Sequence, residues 1–299
     1  MTIRNCFTAS LLLCVFVAIA TAPIATAQGT GTPTPLLTGF IPMPEHKLQE
    51  GYVRVFDNTS MFGWRGNPRD SFINQGRLNF TGRVADTPFF FLGYPAVPWN
   101  VMHGTATARP QGTMTPLFDG ETLNGWSTRG NVQAVVEEGV IKLTGGSGSL
   151  ESEGRFADFV LQLEYLTPER PAGQGVNSGV FFRCIPGQTM NGYECQILNN
   201  PAARDYESFI GTDTGGIFRR QVGRNVGPKD GEWNYLTISV RGARMATWVN
   251  GIQVTDWTDE RELHENPRNG LRLEAGTIQF QGHDPRTEIW FRNIRVLEL

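Results

Sequence analysis

Several large enzyme classes have no motif to stand on in this chain. Its 299 residues contain no HExxH, no phosphate-cradling glycine loop, no dinucleotide fingerprint and no GxSxG. Zinc-protease, nucleotide-dependent and serine-hydrolase chemistries therefore find no support. Basic residues are scattered and outnumbered, 26 against 29 acidic, and a mildly acidic chain without a basic block is a poor ligand for nucleic acid or an anionic membrane. After the first 27 residues no apolar run approaches the ~20 residues that a membrane span needs. No later stretch keeps a 3.6-residue apolar period for three turns, which argues against a helical fold. Cysteine is scarce as well: of four, only Cys184 and Cys195 lie beyond the N-terminal segment.

That N-terminal segment has its own pattern. Arg4 precedes the apolar run Leu11–Ala20, and Ala25, Thr26 and Ala27 form a small-x-small sequence. This order predicts a secretory signal over residues 1–27, hence an exported, periplasmic or secreted protein. In an oxidising compartment Cys184 and Cys195 would form a disulfide if their strands pair.

Glycine and proline are abundant, 35 and 18. Strand-like runs of four to eight residues return between turn signals, the signature of an all-β sandwich or barrel. Residues 28–36 and 104–116 read as linkers. Residues 37–103 read as a partial N-terminal β repeat, because Phe56–Trp64 matches Phe118–Trp126 at an offset of 62. Such a short copy cannot close a sandwich alone. Residues 117–299 form the main domain.

Strand side chains alternate between faces, and four runs of the main domain put polar groups on one side. Phe159–Tyr165 exposes Gln162 and Glu164, and Gly179–Cys184 exposes Phe181 and Arg183. Tyr193–Asn199 exposes Glu194 and Gln196, and Thr277–His283 exposes Gln279, Gln281 and His283. If the middle two runs pair as a hairpin with Cys184 facing Cys195, Arg183 falls beside Gln196 on the open face. Glu164, Arg183, Glu194, Gln196, Gln281 and His283 would then line one polar groove suited to sugar hydroxyls. Trp233, Trp248 and Trp257 are the tryptophans available to stack on a sugar ring. Asn250-Gly251 predicts a type I′ hairpin turn.

These residues resemble a known family, the 3-keto-disaccharide hydrolase domain, which has a concanavalin A-like jelly-roll fold. The resemblance runs from Leu117 to Leu299. It is carried by Leu117-Phe118-Asp119-Gly120 with Gly125-Trp126, and by Asn177-Ser178-Gly179-Val180-Phe181-Phe182-Arg183. Tyr193-Glu194-Cys195-Gln196, Gly231-Glu232-Trp233-Asn234 and Gln279-Phe280-Gln281-Gly282-His283-Asp284 continue it. The chain departs from the family at Phe218, where a tyrosine is usual. The resemblance implies cleavage of a glycosidic bond in a sugar oxidised at C3, where the ketone acidifies the C2 proton and an enolate expels the C1 oxygen. That route needs a base, an acid and an oxyanion partner. Glu194 or His283 is expected as base with the other as acid, and Arg183 as oxyanion partner. Glu164, Asn177, Gln196, Gln281, Trp233 and Trp257 are expected to hold the sugar. A divalent metal ion on His283 and carboxylates would polarise the ketone, although no metal-specific spacing is present. The rival readings are a non-catalytic carbohydrate-binding module and a structural surface protein.

Overall fold

The computed structural model describes residues 36–38, 40, 42–54, 57, 62, 64–65, 71–74, 77–80, 90–91, 99–102, 107–171, 174–199 and 211–299. The expected signal at 1–27, most of the linker at 28–36 and much of the 37–103 repeat, including most of Phe56–Trp64, lie outside them. Among the described residues no helix is long and apolar enough to cross a membrane.

Ten strands build the main body: β1 (Trp126–Glu137), β2 (Val140–Phe156), β3 (Phe159–Leu166), β4 (Ser178–Cys184), β5 (Tyr193–Ile197), β6 (Asn234–Arg241), β7 (Arg244–Val249), β8 (Ile252–Thr258), β9 (Gly276–Gly282) and β10 (Glu288–Glu298). They pair antiparallel in the order β5-β4-β9-β2-β10-β3-β6-β7-β8, with β1 on β2 and Thr115–Pro116 on β10. This is an all-β jelly-roll sandwich. It closes because β2 serves both layers: Ile141–Thr144 pair with β10, and Gly148–Phe156 pair with β9. The register breaks between Gly145 and Gly148 where β1 follows β2. A Cβ at Gly148 would sit 2.2 Å from the Arg129 carbonyl, so only glycine lets the two backbones approach there.

The core lies between the layers. Leu150, Val180, Phe182, Ile278 and Phe280 meet Leu161, Leu163, Ile238, Ile289 and Phe291. Phe280 and Phe291 stack at 4.2 Å between ring centroids. Each fully buried side chain of this size contributes about 1.5–3 kcal/mol. The expected turn is present: Asn250 and Gly251 have φ of 50° and 78°, as a type I′ hairpin requires.

The N-terminal part covers the back layer. Helix α1 (Glu45–Gln49) and the residues after it lie on β3, β10 and the β7–β8 turn. Gln162 Nε2 donates to the Gly51 carbonyl at 2.9 Å, Arg295 Nη2 to that of Gln49 at 3.1 Å, and the Arg54 amide to that of Gly251 at 2.7 Å. The opposite layer, β5-β4-β9-β2, carries the candidate site.

Candidate functional site

On the site layer, core-facing Val180, Cys195, Ile278 and Phe280 alternate with residues of the outer face. Register aligns that face in rows. Phe181 is opposite both Glu194 and Gln279, and Gln279 is opposite Glu151. Gly179 is opposite Gln196, and Gln281 is opposite Ser149. The sheet therefore presents a glutamate near each side.

The two glutamates live in opposite environments. Glu151 is an ion pair with Arg129 and accepts from Thr277 Oγ1 at 2.7 Å, the Gly187 amide at 3.1 Å and Gln279 Nε2 at 3.1 Å. Burial pushes its carboxyl up, but these donors outweigh it and hold the group below the usual carboxylate range. The residues around 185–191 close over this side, since the Met190 amide donates to Gln279 Oε1 at 2.7 Å and Gln279 Nε2 to the Gln188 carbonyl at 3.0 Å.

Glu194 is 7% exposed, and among the described residues no donor reaches its carboxylate. Burial pushes its carboxyl up to about 8, against the opposing pull of Arg268 and Arg219. It borders a cavity of about 270 Å³ with Phe218, Arg219, Arg220, Pro267 and Arg268. Arg268 is fixed by two bonds to the Met190 carbonyl, 3.0 Å from Nε and 2.6 Å from Nη2, and lies 5.7 Å above the Phe181 ring. Of two carboxyls in such different surroundings, the raised one is suited to exchange a proton near neutrality and the lowered one is held as a fixed charge.

Other expected residues gather on the same face. Gln196 Nε2 donates to Asn177 Oδ1 at 2.6 Å. Gln281 Nε2 lies 3.1 Å from Met190 Sδ, and among the described residues its buried Oε1 has no partner. His283 follows β9 directly, exposed at the rim, with Nδ1 3.1 Å from Asp284 Oδ2. Its amide donates to Thr287 Oγ1 at 3.0 Å, and that hydroxyl lies 3.4 Å from the Asn177 carbonyl.

Five expectations are corrected. Arg183 does not reach the groove. It has φ 49° at a register break in β4, which turns its fully buried guanidinium away. Nε donates to the Ala157 carbonyl (2.8 Å), Nη1 to those of Gly242 and Arg272 (2.8 Å each) and Nη2 to Asp158 (2.9 Å). Cys184 and Cys195 are free buried thiols, because the hairpin places Val180, not Cys184, opposite Cys195. Burial pushes both thiols up. Glu164 lies on the back layer, held by Arg292 Nε at 2.8 Å and Asn293 Nδ2 at 2.6 Å, and Trp233 joins it there with Arg292 3.9 Å above its ring. Trp257 packs edge-on against Tyr193 at 6.2 Å and does not line the cavity. Among the described residues no three His, Cys, Asp or Glu side chains come together as a metal site. Among these residues the donors expected for a divalent ion do not converge.

Arg268 and Arg219 lay outside the sequence reading. Both sit in irregular segments where no periodicity marks a face. Phe218, singled out as a departure, lines the cavity, and its amide donates to the Glu194 carbonyl at 3.0 Å.

Residues 113–297 match the profile of a family described as the 3-keto-alpha-glucoside-1,2-lyase-like domain. A 3-keto-disaccharide hydrolase of Bacteroides thetaiotaomicron is 26% identical over 230 residues, covering 60% of this chain and 76% of the relative. A candidate glycosyl hydrolase from Parabacteroides distasonis, known from its crystal structure, superposes with a TM-score of 0.50 at 21% identity. It covers 62% of this chain and 94% of its own, a likeness of fold.

Proposed function

The chain belongs to the 3-keto-alpha-glucoside-1,2-lyase-like domain family, and from that premise we propose that it cleaves the glycosidic bond of 3-keto-glycosides with Glu194 as the base. The observation that carries this reading is a buried carboxyl, pushed up to about 8, on a cavity of about 270 Å³. Glu194 takes the C2 proton, and the electron pair of the C–H bond becomes an enolate on the C3 oxygen. Arg268, not Arg183, is the guanidinium beside Glu194 and is assigned to that oxygen. Collapse of the enolate breaks the C1–O bond. The electron pair leaves on the aglycone oxygen, which takes a proton from the Glu194 carboxyl or from His283 at the rim. The product is a C1=C2 unsaturated ketone, and water adding across that bond completes net hydrolysis. Gln196, Asn177 and Gln281 are assigned to sugar hydroxyls, the orphan Gln281 Oε1 being an acceptor for one. Export rests on the pattern of residues 1–27.

The test is turnover of a 3-keto-glucoside, followed by release of 3-keto-glucose or the unsaturated ketone. Glu194→Gln is expected to lose at least ~10²-fold in kcat, and His283→Ala to lose less. Full activity in Glu194→Gln overturns the assignment. Binding without turnover in the parent protein makes it a carbohydrate-binding module instead.

A further inference from the structure

Among the described residues the charge that lines the Glu194 cavity is one-sided. Arg219, Arg220 and Arg268 line it, and Glu194 is the one carboxylic acid among its described lining residues. Burial pushes that acid's carboxyl up, against its ionised form. Nearby acids are engaged elsewhere: Asp259 accepts from Arg261 Nη2 at 2.7 Å and from the Tyr193 hydroxyl at 2.7 Å, and Glu274 is paired with Arg272 at 2.9 Å. Arg220 donates to the carbonyls of Arg219 (3.3 Å) and Arg268 (2.7 Å), and Arg268 donates to that of Met190. Among the described residues neither of these two arginines forms an ion pair. Carbonyl oxygens orient a guanidinium without neutralising it. Burial, and after it Arg261, pushes the Arg220 guanidinium down against the opposing pull of Asp259. Its planar fork matches a carboxylate bidentately.

We propose that this cavity takes a glycoside bearing a carboxylate, seated against Arg220 while the keto-sugar ring lies at Glu194. The inference rests on the proposed cleavage for the place of the ring and adds the class of substrate.

Binding to the full chain tests it separately from catalysis. Calorimetry would compare methyl glucuronide and p-carboxyphenyl glucoside with methyl glucoside, at low salt and in 0.5 M NaCl. The first two probes separate a carboxylate on the ring from one on the aglycone. At least one acidic probe is expected to bind about tenfold tighter than the neutral sugar, the effect of one charge-assisted pair. Salt should erode that advantage, and Arg220→Gln, checked for folding by thermal unfolding, should reduce it. Equal affinity for all three probes, or no measurable binding of either acidic probe at millimolar concentration, overturns the proposal. Turnover of a neutral 3-keto-glucoside is read in parallel. Its failure beside an intact acidic preference removes the reaction and leaves the charge recognition, and normal turnover without a preference does the reverse.

Discussion

Glu194 leans across Gly179: a Cβ built on that glycine would lie 2.8 Å from Glu194 Oε1 and 3.1 Å from its Cγ. The strand opposite the proposed base therefore leaves out a side chain where the carboxylate rests. The φ of Gly179 is not positive, so this glycine serves space and not backbone conformation.

Gly179→Ala is accordingly expected to displace the carboxylate while leaving the sheet intact. About tenfold should be lost from kcat, since small misplacements of reacting groups cost that much or more, with a stability loss of about 1 kcal/mol. Initial rates and thermal unfolding check the two together. An unchanged kcat would mean that the carboxylate need not lie where it does.

The pH dependence of kcat/KM follows from the raised carboxyl. A base must be ionised, so the rate should climb as pH rises and level off above about 8. In Glu194→Gln that limb should disappear along with most of the rate. A profile already flat from pH 5 upward contradicts Glu194 as the titrating base.

The same group has a cost in stability. Its folded-state value stands above the ordinary 4.5, so the folded protein holds this proton more tightly than the unfolded chain does. Its contribution is complete below about 4.5, declines as pH rises towards about 8, and is flat beyond. Glu194→Gln should therefore gain on the parent protein across that window, by an amount on the order of 5 kcal/mol at most. Melting temperatures from pH 4 to pH 9 read the gain, and parallel curves for the two proteins would exclude it.

Arg183→Met tests the structural assignment of that residue. Removing a buried guanidinium strands three carbonyls and the Asp158 carboxylate, a loss of about 3 kcal/mol or more. Denaturant unfolding should show this, and protein that remains folded should keep the rising pH limb. A fall in kcat with unaltered stability would restore Arg183 to the chemistry.

Much of this was legible in alternation alone. Phe159–Tyr165, Tyr193–Ile197 and Ile278–Phe280 bury the sides their patterns indicated. Alternation names a face but not a layer, which is why Glu164 was assigned to the groove although β3 belongs to the back sheet. A register break has no compositional mark, so neither the positive φ of Arg183 nor the pairing of Cys195 with Val180 can be read from alternation. Arg268 had no signal, since a residue in an irregular segment is placed by tertiary contacts, here the Met190 carbonyl and Phe181.

The sharing of β2 between layers also bears on how the chain folds. Ser149 bonds Gln279 across a separation of 130 residues, and Ile141 pairs with Phe291. Contacts so distant demand loop closure before they return any stabilisation, which slows folding. Neither layer can be finished until β9 and β10 have been synthesised. The nascent polypeptide, with β1 already on one side of β2, therefore waits with the other edge of that strand exposed, and this edge is where premature association with other chains would begin.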